Sequence, residues 1–141
     1  MRKARIEGDT MLKLTNTTST ALTANQVIPL SAVLDTNNSL SFSNNTIKIN
    51  KAGYYDVTGN FVITATAAGD ISVRLFANGV AIPEAIATET VAAAGNVITL
   101  PIHDIIKVVR SSNISNTAEL TFVVSAACTL TSAVATVVEI R

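Results

Sequence analysis

Few residues in this chain are equipped for chemistry. Its 141 residues include one histidine, His103, and one cysteine, Cys128. A nucleophilic thiol needs a base to ionise it, and His103 is the only histidine available for that role. Cys128 closes the apolar stretch Ala126-Ala127-Cys128, where a small buried hydrophobe is the expected part. One cysteine excludes an internal disulfide framework, and one histidine excludes a multi-histidine metal centre. Asp104 follows His103 and reads as a turn residue bonding local backbone amides. Asp56 and Glu139 fall on polar faces of alternating segments, where solvated or cross-strand-paired carboxylates are the rule. Oxygen atoms of Asp56, Asp70 or Asp104 with asparagine side chains would suit calcium, but no spacing singles out a site. Neither a Gly-x-Ser-x-Gly elbow, a phosphate loop nor a His-rich zinc pattern occurs. The reading is a protein without catalytic residues and without a cofactor.

The elements that position these residues are strands. Thr, Val and Ile are abundant, and Asn punctuates the segments between them. Tyr55, Val57, Gly59, Phe61, Ile63 and Ala65 alternate with Tyr54, Asp56, Thr58, Asn60, Val62 and Thr64, a long strand with one buried face. Ile71, Val73 and Leu75 repeat the pattern up to Asn78-Gly79, the pair favoured in a two-residue hairpin turn. Val80 to Ile82 should pair back, with Pro83 ending the pairing. Strands over 97–102 and 104–110 are expected to flank a turn at His103. Leu120, Phe122 and Val124 line one face of a later strand, and Val134, Thr136, Val138 and Ile140 one face of the last. Short strands are expected at 27–28, 32–34, 40–42 and 47–49. Residues 84–94 are the best helical candidate, but their Thr and Val content favours strand and loop. Many short strands with frequent turn signals predict an all-β sandwich or jelly roll.

Composition excludes further classes. Ten Lys and Arg balance ten Asp and Glu, so no basic excess is available to release counterions from nucleic acid. Charged residues make up 14% and hydrophobic residues 48%, the opposite of a disordered chain. No apolar run approaches the roughly 20 residues of a membrane span, so neither a nucleic acid nor a membrane is an expected partner. Residues 1–13 lack the apolar core of a signal peptide, so synthesis in a cytoplasm is expected. Arg2, Lys3, Arg5, Glu7, Asp9 and Lys13 crowd into this stretch, and a Thr- and Asn-rich segment follows. The division read from this shift is an arm over residues 1–25 and a domain over 26–141, with Arg2, Lys3, Arg5 and Lys13 as docking groups.

Three segments in order resemble the TNF-like jelly roll, the fold of tumour necrosis factors and complement-type globular heads. They are Ile47 to Val57, IKINKAGYYDV; Ile71 to Ile82, ISVRLFANGVAI; and Ala94 to Val109, AGNVITLPIHDIIKVV. The first is similar to the family's strand, turn and Gly-x-Tyr entry to a long central strand. The second resembles its strand–Asn-Gly–strand hairpin. The third resembles its Gly-x-Val-x-x-Leu strand before a Gly-Asp turn, with His103-Asp104 at the turn. The likeness is nearest to the bacterial and phage branch, which includes heads of collagen-like surface proteins, although no collagen-like stalk precedes it here. The resemblance implies a two-sheet jelly roll that assembles as a homotrimer. Tyr54, Val62 and Phe76 are the expected interface residues, with Tyr55 turned into the core. The expected role is a structural virion protein of a bacteriophage, a head-decoration or head-fibre trimer held on the major capsid or another virion protein by the arm. The alternative is a receptor- or glycan-binding head of a tail fibre or adhesin. That reading would use loops at Asn37-Asn38, Asn44-Asn45 or Ser111 to Asn116 against a host surface glycan.

Overall fold

A computed structural model describes residues 11–35, 40–109 and 118–140. Among the described residues, eleven strands run in the order β1 (Met11–Asn16), β2 (Thr20–Leu22), β3 (Ser31–Asp35), β4 (Leu40–Ser43), β5 (Thr46–Ile49), β6 (Gly53–Ala65), β7 (Gly69–Ala77), β8 (Val80–Val91), β9 (Val97–Val108), β10 (Ala118–Val124) and β11 (Cys128–Ile140). They form two antiparallel sheets, the larger ordered β3-β1-β11-β6-β9 with β2 beside β11, the smaller β4-β5-β10-β7-β8. Sequence neighbours repeatedly fall in opposite sheets, which is the winding of a jelly roll.

Period-2 alternation fixes which face is buried. Tyr55, Val57, Phe61 and Ile63 of β6 are fully buried, as are Val73 and Leu75 of β7 and Leu120 and Val124 of β10. The core is mainly aliphatic and holds three large rings. Phe61 and Phe122 meet across the two sheets with centroids 5.0 Å apart and planes at 56°, a tilted contact contributing about 0.5–1.5 kcal/mol beyond its buried area. Tyr55 donates its hydroxyl to the Lys51 carbonyl at 2.8 Å, so its one polar atom is satisfied inside.

Asn78 and Gly79 both take positive φ, 53° and 80°, and close the β7–β8 hairpin as the sequence predicts. Asn44 and Asn45, at 51° and 60°, close the β4–β5 hairpin in the same way.

Four expectations are corrected. Pro83 does not end the hairpin. Ala77 and Phe76 pair with Val80 and Ala81, the register then shifts, and Arg74 pairs with Ile86, so Pro83 rides in an outward irregularity of a strand that continues to Val91. His103 and Asp104 do not form a turn. Strand β9 runs straight through them, paired with β6 from Val97 to Val108, with His103 opposite Thr58 and Asp104 opposite Val57. On β11 the core side is Ala133, Ala135 and Val137, while Val134 and Ile140 are exposed, and Glu139 faces inward beside Lys51 at 3.4 Å rather than lying on a polar face. Both faces of β11 are apolar, so alternation alone does not identify the inner one. Finally, residues 11–22 are not a free arm: β1 lies inside the larger sheet between β3 and β11, with Leu12 and Leu14 fully buried. Residues 1–10 lie outside the described part of the chain.

Candidate functional site

The outward face of the larger sheet gathers most of the exposed apolar surface. Six of the nine exposed large hydrophobic residues among those described, Leu34, Tyr54, Val97, Ile105, Val134 and Ile140, lie on it. Register explains the grouping. Tyr54 of β6 pairs with Ile140 of β11 on one side and Lys107 of β9 on the other, and Ile105 is two pairs further along, opposite Asp56. Directly paired residues share a face, so alternation that sends Tyr55 and Ile106 inward sends Tyr54 and Ile105 out. Tyr54 and Ile105 remain 50% and 53% exposed. Tyr54, Ile140 and Ile105 thus form a local apolar cluster at one end of the face, and clusters of this kind recur where proteins contact one another.

Polar side chains are interspersed among these residues, and some of them are engaged. His103 Nε2 lies 2.6 Å from Asp56 Oδ1, a diagonal contact between β9 and β6. Lys107 Nζ stands 5.7 Å from the centroid of the Tyr54 ring, within range of a cation–π contact. Thr58, Asn60 and Thr136 fill the middle of the face, and Lys13 stands at its side, paired with Thr136.

Of the expected interface residues, Tyr54 and half-buried Val62 lie on this face. Phe76 does not. It emerges from β7 on the outer side of the other sheet, so the three do not form one patch. Lys13, expected in a docking arm, belongs to the face, whereas Arg2, Lys3 and Arg5 lie outside the described residues. So do Asn37-Asn38 and Ser111 to Asn116. The sequence reading missed Ile105, Ile140 and the His103–Asp56 pair. The available signal was that β9 and β11 alternate apolar residues on both faces, which an isolated sandwich does not require.

The candidate reactive groups are held apart. Cys128 is buried at the end of β11 opposite Ala65, whereas His103 faces outward opposite Thr58. Seven residues of β6 separate those positions, roughly 20 Å of strand. Burial pushes the Cys128 thiol up to about 11, away from the thiolate a nucleophile requires. Asp56 contacts His103, Asp70 accepts from the Thr90 hydroxyl at 2.7 Å, and Asp104 points inward from β9 with Oδ1 accepting from its neighbour Ile105 at 2.8 Å. The three aspartates therefore share no ligand cage. Among the described residues no three His, Cys, Asp or Glu side chains are grouped to hold a metal ion, and no helix is long and apolar enough to cross a membrane.

Neither a protein-family model nor a curated protein sequence matches the chain. Solved structures match it over nearly its whole length. Murine APRIL superposes with a TM-score of 0.74 at 9% identity, covering 94% of this chain and 99% of that chain. Eiger TNF from S. frugiperda gives 0.75 at 7% identity, covering 94% and 93%. The PRD1 vertex protein P5 gives 0.59 at 19% identity, covering 94% and 97%. The chain has the TNF-like jelly-roll fold that its sequence motifs resemble.

Proposed function

We propose that the chain is a structural virion protein of a bacteriophage, a homotrimer closed by the outward face of its larger sheet and attached to the particle by the residues that precede β1. The observation that carries this reading is the concentration of exposed apolar residues on that one face. A monomer gains nothing from displaying Tyr54, Ile105 and Ile140 side by side, whereas three copies around an axis bury them against one another. The low charge fits the same account, since charged residues are depleted at the core of subunit interfaces. Likeness to a vertex protein over almost the full length of both chains supports a place on a particle. Arg2, Lys3 and Arg5 then supply attachment to a capsid protein, ahead of a strand that anchors them to the sandwich.

Deletion of residues 2–10 separates assembly from attachment, because it leaves β1 intact. The shortened chain should still trimerise and should no longer be recovered with purified particles. Undiminished recovery contradicts attachment through this segment.

A further inference from the structure

On the opposite side of the sandwich, the outer face of the smaller sheet holds a pocket of about 190 Å³ lined by Asn25, Ser72, Arg74, Phe76, Ile86 and Ser125 together with Val123 and Val124. We propose that this pocket is a binding site for the carboxylate group of an acidic sugar, with Arg74 as its anchor. Arg74 is half-buried on β7, and its Nε is fully buried without a hydrogen-bond partner. No ion pair or hydrogen bond engages its guanidinium among the described residues. A buried Nε–H with no acceptor is costly, and the planar fork of the guanidinium matches a carboxylate through two parallel hydrogen bonds.

The rest of the lining completes the match. The pocket contains no acidic residue. Ser125 Oγ accepts from the Ser72 amide at 2.9 Å, and its rotatable hydroxyl proton is able to donate to a guest. The Ser72 hydroxyl and the Asn25 amide add further groups able to donate. Phe76 and Ile86 supply an apolar wall, which inorganic oxyanions do not need and the C–H face of a sugar ring does. The register shift between Arg74 and Phe76, which leaves Ile82 to Ala85 of β8 out of the ladder, lies beside this pocket.

The occupant is compact. Strand β7 is paired on both sides, by β10 and β8, and β10 is bordered by Asn25 and Ile28, whose amides bond the carbonyls of Val124 and Phe122. Neither β7 nor β10 therefore offers an edge to an extended peptide, and the outer edge of β8, which carries Ile86, is the one place beside the pocket where strand addition is open. The volume falls below the roughly 300–1,000 Å³ of sites that engulf a drug-sized ligand, which suits one ring of a larger glycan. The site lies on the other sheet from the proposed trimer face and does not depend on it.

The test uses the full chain and ligand-observed saturation-transfer NMR with methyl β-D-glucuronide and N-acetylneuraminic acid as probes. Methyl β-D-glucoside, inorganic phosphate and an acetylated Glu-Glu peptide serve as the competing arms. At least one sugar acid should bind saturably in the millimolar range, the neutral glucoside at least about tenfold more weakly, and Arg74→Gln should lower sugar-acid affinity by about tenfold or more. Ser125→Ala should weaken binding less, with folding unchanged by circular dichroism. Binding unaltered in Arg74→Gln, equal binding of the neutral glucoside, tighter binding of phosphate or the peptide, or no binding of either sugar acid overturns the assignment.

Discussion

His103 and Asp56 touch at 2.6 Å across adjacent strands, in the middle of the face where Tyr54 and Ile105 are exposed. On an open surface such a pair contributes about 0.2–1 kcal/mol. Enclosed between subunits, it becomes costly to break from one side only, because the remaining partner is left desolvated. Asp56→Asn and His103→Gln should therefore each raise the apparent dissociation constant of the oligomer by about tenfold or more, and the double variant by less than their product. Sedimentation across a concentration series reads this directly. Additive effects near zero would place the pair outside the interface.

Gly59 makes room for the aromatic centre of the core. A Cβ there would stand 2.7 Å from Phe61 Cε2 and 3.1 Å from Phe122 Cε1, so the rings must move. Gly59→Ala should destabilise the fold by about 1–3 kcal/mol, the usual cost of overpacking. Phe61→Leu in the same chain should recover part of that loss in denaturant titrations. A neutral Gly59→Ala would show that the Phe61–Phe122 contact is not constrained as described.

Asp104 introduces a pH dependence of known sign. Burial raises its pKa above the ordinary 3.8, and repulsion from nearby Glu84 adds to the rise, against the opposing hydrogen bond from the Ile105 amide. As pH climbs through 3.8 the unfolded chain ionises first, so this group removes stability between 3.8 and its higher folded-state value, and the penalty is complete at neutral pH. Asp104→Asn keeps the acceptor for Ile105 and should raise the melting temperature at pH 7, with the gain vanishing below pH 3.8. A gain that persists undiminished below that pH would point to packing rather than charge.

Cys128 reports opening of the sandwich. Its side chain is buried, and its thiol is pushed up to about 11. Labelling by a maleimide at neutral pH should follow unfolding and accelerate in parallel with it through a denaturant series. Rapid stoichiometric labelling of the native chain would contradict the burial of β11.

Strand identity was legible wherever one face is apolar and the other polar, as at Tyr54 to Ala65 and Ile71 to Leu75. Glycine and asparagine announced the turns at Asn78-Gly79 and Asn44-Asn45, because positive φ demands those residue types. Legibility failed on β11 and β9. There the second face carries apolar residues too, and Val134, Ile140 and Ile105 look like core residues until pairing fixes their direction. The same two-sidedness that obscured the inner face of β11 is what motivates the proposed trimer contact on the outward face. His103 joined Asp56 through strand register, a relation between positions 47 residues apart that local spacing does not contain. Arg74 was likewise indistinguishable from any exposed strand arginine until Phe76, Ile86 and Ser125 were seen to surround it.

Trimer closure through the face bearing Tyr54 and Ile105 is the centre of this account, and sedimentation equilibrium of the full chain tests it most directly. The purified protein should sediment at three times the chain mass at micromolar concentration, and Ile105→Lys should convert it to a folded species of single-chain mass. A wild-type chain that sediments as a stable monomer contradicts the account.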